Sequence, residues 1–223
     1  MRDIRLVIFD IAGTIIEDHG EVVASFRSAL LANGMDVSDA ELREWKGASK
    51  REVIRRFAAD RFTTDREQKV EKTYADFRQA LENHYQANGV IPIAGAEATF
   101  RWLRERKILI ATTTGFYREI ADFILKEAGW FATFNANVTS SDVAKGRPAP
   151  DMILRAMEAT GVASPSQVVN VGDTPLDLQA GTNAGAAGVI GVLTGAHAEE
   201  RLRREPHTHI IPSVADLPAL LSA

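Results

Sequence analysis

Two hydrophobic textures alternate along the chain. Short apolar runs bounded by turn residues occur at "RLVIFD", "KILIATTTG", "FNANVTSSD", "QVVNVGDT", "AGVIGVLTG" and "HIIPS". Their length and β-branched content predict buried parallel strands. Helix-period stretches at 95–106, 117–129, 150–160 and 175–185 lie between the later runs. Strand and helix alternating in this way predict an α/β fold, a doubly wound, Rossmann-like parallel sheet.

Residues 21–90 carry no strand signal. They hold the helix-period segments "EVVASFRSALLANG", "DAELREWKG", "SKREVIRRFAADRF" and "REQKVEKTYADFRQALENHYQANG", with Gly34 and Gly89 as stops. The chain therefore divides into an α/β core of 1–17 and 89–223 and an all-helical insertion, 18–88, that can act as a cap. Val22, Val23, Phe26, Leu30 and Leu31 make more than one narrow stripe on the first of these helices. Packing within the chain and a homodimer joined through the cap explain that pattern equally well.

Composition narrows the partners. The chain has 223 residues, 45% of them hydrophobic and 25% charged, as in ordinary globular proteins. A net charge of −4 supplies no global field to attract nucleic acid or an anionic membrane, so neither is expected as a partner. The absence of cysteine excludes disulfides, thiolate metal sites and a cysteine nucleophile. No secretory signal and no membrane-spanning run are recognised, so a cytoplasmic protein is expected.

Candidate chemistry gathers at the predicted strand ends, where open parallel sheets bind ligands. Asp10 ends the first run, Thr114 and Gly115 the second, and Asp173 the fourth, with Asp177 four residues later and Arg147 in the loop "AKGRPAP". Carboxylates suit a hard divalent cation such as Mg²⁺, and one of them can attack phosphorus. A hydroxyl, a backbone N–H and a guanidinium can stabilise the equatorial oxygens.

In their order, "FDIAGTI", "TTTG", "GRPAPD" and "VGDTPLDLQAG" resemble the four signature segments of the haloacid dehalogenase-like hydrolase superfamily. The resemblance implies that Asp10 is the nucleophile and that Asp10, the Ala12 carbonyl and Asp173 bind Mg²⁺ with support from Asp177. It implies that Thr114, Gly115 and Arg147 hold the phosphoryl group; Lys145 competes with Arg147, which directly precedes Pro148 as the pattern asks.

Ala12 is the departure that sharpens the reading. Phosphatases of this superfamily usually carry Asp there, to protonate the leaving oxygen and activate water. Alanine closes that route. The "D-x-A-G-T" form resembles the phosphonoacetaldehyde hydrolase (phosphonatase) branch, as do "TTTGFYRE" and "AKGRP". In that branch a cap lysine forms an imine with the substrate aldehyde and so activates a carbon leaving group. Lys50, spaced from Gly47, aligns with that lysine. Ser49-x-x-Glu52 reads as a capping box, which places Lys50 first in its helix, at the positive end of the helix dipole.

Other positions depart from the branch pattern. Lys46 stands where methionine precedes the cap glycine, Val53 where a histidine follows the lysine, and Phe116 where tyrosine follows the second-motif glycine. The loop "EDHGEV" also differs, and its His19 is either a proton carrier or a solvated loop residue. Three functions stay open: a Mg²⁺-dependent phosphonatase-like hydrolase of a small phosphonate, a phosphomonoesterase or phosphoryl-transfer enzyme for a small phosphate ester, and a catalytically silent phosphate-binding module. For Lys50, imine formation, anion binding and no role remain open.

Overall fold

The computed structural model describes residues 3–195 and 197–222, without the side chain of Arg43. Its chain divides into two compact units, Met1–Glu17 with Val90–Ala223, and Asp18–Gly89.

The chain opens on β1 (Leu6–Phe9), four buried apolar residues, and then enters the second unit. That unit holds α1 (Glu21–Ala32), α2 (Asp39–Glu44), α3 (Lys50–Ala59) and α4 (Arg66–Asn88). Val22, Phe26 and Leu30, at i, i+4 and i+8, are buried, and α1 packs on α4 through Phe26 and Phe77, whose ring centroids are 5.2 Å apart. Leu31, by contrast, is 59% exposed, so packing within the chain accounts for only part of the broad apolar pattern of this helix. Gly34, at φ +80°, ends α1: its N–H reaches Leu31 O while that of Met35 reaches Leu30 O. Gly89, grouped with the core on sequence, falls in the helical unit because its N–H closes α4 on Tyr85 O at 2.9 Å.

Ser49 precedes α3 but makes no side-chain capping bond, so the capping box expected with Glu52 is not formed. The helix instead starts on backbone alone, with Val53 N–H donating to Ser49 O at 3.1 Å. Lys50 is nonetheless its first residue.

The first unit continues with α5 (Ala96–Glu105), β2 (Leu109–Thr114), α6 (Arg118–Glu127), β3 (Ala136–Thr139), α7 (Asp151–Thr160), β4 (Val168–Gly172), α8 (Pro175–Asn183), β5 (Gly188–Val192), α9 (Glu199–Leu202), β6 (His209–Ile211) and α10 (Leu217–Ser222). The six strands form one sheet in the order β3-β2-β1-β4-β5-β6, with every neighbouring pair parallel. Val and Ile fill its middle, which helices cover on both faces. Short α9 and α10, and three 3₁₀ turns, have no counterpart in the sequence pattern; three to six residues carry too little periodicity to register.

This topology places the chemistry. β1 pairs with β2 on one side and β4 on the other, Phe9 standing opposite Thr112 and Val171. Chain order reverses at β1, so the carboxyl ends of β1, β2 and β4 open on one rim at the switch point. Among the described residues, no helix is long and apolar enough to cross a membrane.

Candidate active site

Asp10 directly follows β1, and its N–H donates to Val171 O on β4 at 2.9 Å, so the sheet ladder itself fixes the carboxylate. Asp173 follows β4 and is fully buried. Asp177 sits in the first turn of α8, where Thr174 caps the helix and Pro175 takes the first position. Thr174 Oγ1 donates to Asp177 Oδ2 at 2.5 Å, and the Thr174 N–H donates to the same oxygen at 3.1 Å. The capping box thus locks one oxygen of Asp177 and leaves Oδ1 facing the site.

Oxygens of Asp10, Asp173 and Asp177 lie within 4.8 Å of one another, all three residues buried. Arg147 is the counter-charge. Its Nη1 donates to Asp10 Oδ1 at 2.7 Å and stands 2.8 Å from Asp177 Oδ1; its Nη2 donates to Thr113 O and Thr113 Oγ1, both at 2.8 Å. Lys145, its rival on sequence, is exposed. Thr114 is buried at the end of β2, its Oγ1 accepting the N–H of Phe116 at 3.1 Å, with Gly115 buried beside it. Ala12 follows in the turn after β1 and contributes no side-chain polar atom.

Electrostatics follow from this arrangement. Burial pushes the Asp10 carboxyl up to about 6, against the lowering pull of Arg147, and the neighbouring Asp177 charge adds to the rise. Three carboxylates against one guanidinium leave two negative charges in a buried space. Asp177 Oδ1 is buried with no hydrogen-bond donor aligned on it. An all-oxygen donor set with that charge surplus fits a hard divalent cation, and the carboxylate cluster can hold a metal.

Several residues that shape the site have contacts that their place in the sequence does not reveal, even where a motif includes them. Thr14 Oγ1 donates to Asp173 Oδ1 at 3.2 Å, and Thr194 Oγ1 donates to Gly13 O at 2.7 Å. Gly13, at φ +85°, and Gly195 form a slot for the Asp173 carboxylate: a Cβ would lie 2.6 Å from Asp173 Oδ2 at the first and 1.8 Å at the second. "AGT" belongs to the first motif and "LTG" closes a predicted strand run, and only the fold reveals what they press against.

In the helical unit, Lys50 is buried and its Nζ donates to Ala48 O at 3.0 Å. His19 is exposed, and its backbone N–H donates to Glu21 Oε2 at 2.8 Å. Val53 is buried, and Phe116 is buried in the first unit.

Comparison with known proteins gives the family. A family model described as haloacid dehalogenase-like hydrolase matches residues 4–185. A phosphonoacetaldehyde hydrolase of Latilactobacillus sakei subsp. sakei is 37% identical over 200 residues, covering 83% of this chain and 74% of that protein. One from Bacteroides fragilis is 31% identical, covering 96% and 84% respectively. A crystal structure of a phosphonoacetaldehyde hydrolase-like protein from Oleispira antarctica shares the fold, with a TM-score of 0.85 at 24% identity over 99% of this chain and 92% of that one. The motifs, the sheet order and these likenesses converge, and the chain belongs to the haloacid dehalogenase-like hydrolases, as an enzyme of their phosphonatase-like branch.

Proposed function

We propose that this enzyme cleaves the carbon–phosphorus bond of phosphonoacetaldehyde or a related small phosphonate, with Mg²⁺ as cofactor. The observation that carries the reading is Ala12: three buried carboxylates gather where a metal can be held, yet the residue two beyond Asp10 has no proton to give or take. Relatives at 31–37% identity named phosphonoacetaldehyde hydrolase support the same choice.

Asp10, the Ala12 carbonyl and Asp173 would hold the ion, with Asp177 fixed behind them. Bound there, Mg²⁺ supplies positive charge to the phosphoryl oxygens and keeps the carboxylates ionised. Asp10 attacks phosphorus through a carboxylate oxygen and becomes an aspartyl phosphate, which water then cleaves to release phosphate. Thr114, the Gly115 N–H and Arg147 hold the phosphoryl group, Arg147 exchanging a carboxylate partner for a phosphoryl oxygen. The leaving carbon needs an electron sink, which Lys50 provides. Its neutral amine condenses with the aldehyde, losing water, and the protonated imine accepts the electron pair of the breaking bond as an enamine. Protonation at carbon and hydrolysis then return the lysine and release the aldehyde.

Burial of Lys50 supports this role, because an amine kept from water is a better nucleophile toward a carbonyl. The test is Mg²⁺-dependent phosphate release from phosphonoacetaldehyde beside a panel of phosphate esters, with Lys50→Arg as control. Turnover of the phosphonate that Lys50→Arg abolishes is expected. Brisk turnover of ordinary esters, with the aldehyde untouched, would make the enzyme a phosphomonoesterase instead.

A further inference from the structure

The helical unit contains a buried charge pair outside the carboxylate cluster. Lys46 Nζ lies 2.5 Å from Asp18 Oδ2, and their side chains are 9% and 0% exposed. Asp18 Oδ1 accepts the N–H of Gly20 at 2.9 Å. Next to it Glu21 accepts Tyr85 Oη–H at 3.1 Å and the His19 N–H at 2.8 Å, which ties the 18–21 segment to α4.

Such a pair is a poor device for stability. Desolvating two charges offsets most of their attraction, and well-packed apolar side chains in place of both partners would fill the same space at no such cost. What such a pair can supply is a fixed conformation. The segment that Lys46 anchors is the one that leads into α3. Gly47 turns it at φ +85°, Ala48 N–H donates to Trp45 O at 3.1 Å, and Ala48 O accepts Lys50 Nζ at 3.0 Å. A continuous line of contacts therefore runs from α4 through Glu21 and Asp18 to Lys46, round the glycine turn to Ala48, and to the Lys50 amine.

We infer that the Asp18–Lys46 ion pair positions the amine of Lys50, by holding the turn whose Ala48 carbonyl receives it. The functional meaning rests on Lys50 as the imine-forming residue of the proposed reaction. Lys46 and Asp18 are positioning residues that act through this turn.

The experiment separates the two claims with two readouts on the whole chain. Reductive methylation by formaldehyde and cyanoborohydride, followed residue by residue by mass spectrometry, reports the setting of Lys50 relative to exposed Lys145. Borohydride trapping with phosphonoacetaldehyde reports imine formation. Lys46→Met and Asp18→Asn should each change the relative methylation rate of Lys50 by about fivefold or more, the scale of one buried polar contact. They should lower adduct yield in parallel, while Lys46→Arg, which keeps the pair, restores both. Should Lys46→Met not fold, the shape-conserving Asp18→Asn decides. An unchanged Lys50 rate, or an equal change at every lysine, overturns the positioning role. Methylation that responds without any trapped adduct in the unaltered enzyme leaves the positioning role standing and removes the imine.

Discussion

A single guanidinium nitrogen of Arg147 stands 2.7 Å from Asp10 Oδ1 and 2.8 Å from Asp177 Oδ1, so one cation faces carboxylates from the end of β1 and from the first turn of α8. Removing it leaves buried like charges facing each other. Arg147→Met should cost about 3–5 kcal/mol in chelator, the scale for breaking a buried pair. Saturating Mg²⁺ should return part of that loss, since it replaces the missing positive charge. Urea unfolding with and without the ion measures both.

Asp10→Asn should separate activity from stability. An amide is a poor nucleophile, so phosphate release should fall on the order of 10⁴-fold. The effect on stability has the opposite sign. The Asp10 carboxyl is pushed by burial from 3.8 in the unfolded chain to about 6 in the folded one. A group raised in this way favours folding below 3.8, and that contribution is lost as pH rises through 6. At pH 8 in chelator the neutral amide escapes the penalty, so the variant should melt at a higher temperature than the unaltered enzyme. A lower melting temperature would contradict the assigned burial cost.

The same raised carboxyl makes metal binding compete with a proton. Mg²⁺ affinity should be level above about pH 7 and fall by up to tenfold for each unit below 6, as Asp10 takes up its proton. Calorimetric titration between pH 5 and 8 measures the slope. A flat profile would remove Asp10 from the ligand set.

Gly195→Ala places a methyl group where the Asp173 carboxylate now sits, 1.8 Å from Oδ2. Either the carboxylate or the loop must move. Mg²⁺ affinity should drop about tenfold or more, the range for disturbed ligand support, while the melting temperature in chelator changes less. Equal affinity in the variant would show that the slot does not hold Asp173.

These predictions also mark what the sequence could reveal. All six strands are legible because each lies in a short run rich in apolar and β-branched residues, such as "LVIF" or "VVNV", bounded by turn residues. Asp10, Thr114, Arg147, Asp173 and Asp177 are legible as candidates because motif order carries them, and the structure brings Asp10, Arg147, Asp173 and Asp177 into one buried cluster. The contacts of Thr113, Thr14, Thr194 and Gly195 are not legible, although the motifs include the first two. Their roles exist only across distances such as the 159 residues between Thr14 and Asp173, and no local pattern encodes such a contact. Ser49 shows the converse: its local pattern promises a capping box, yet its side chain makes no cap and backbone bonding alone starts the helix.

The position of β1 has a consequence for biosynthesis. Both of its neighbours come later in the chain: Leu6 pairs with Leu109 on one side and with Val168 on the other. At ribosomal speeds of about 5–20 residues per second, the first strand must wait at least several seconds for any partner, and longer for the one that completes the rim. An unfinished polypeptide ending before Gly172 lacks Asp173 and Asp177 altogether, so it cannot form the carboxylate cluster. The carboxylate cluster therefore assembles only after most of the molecule has been made.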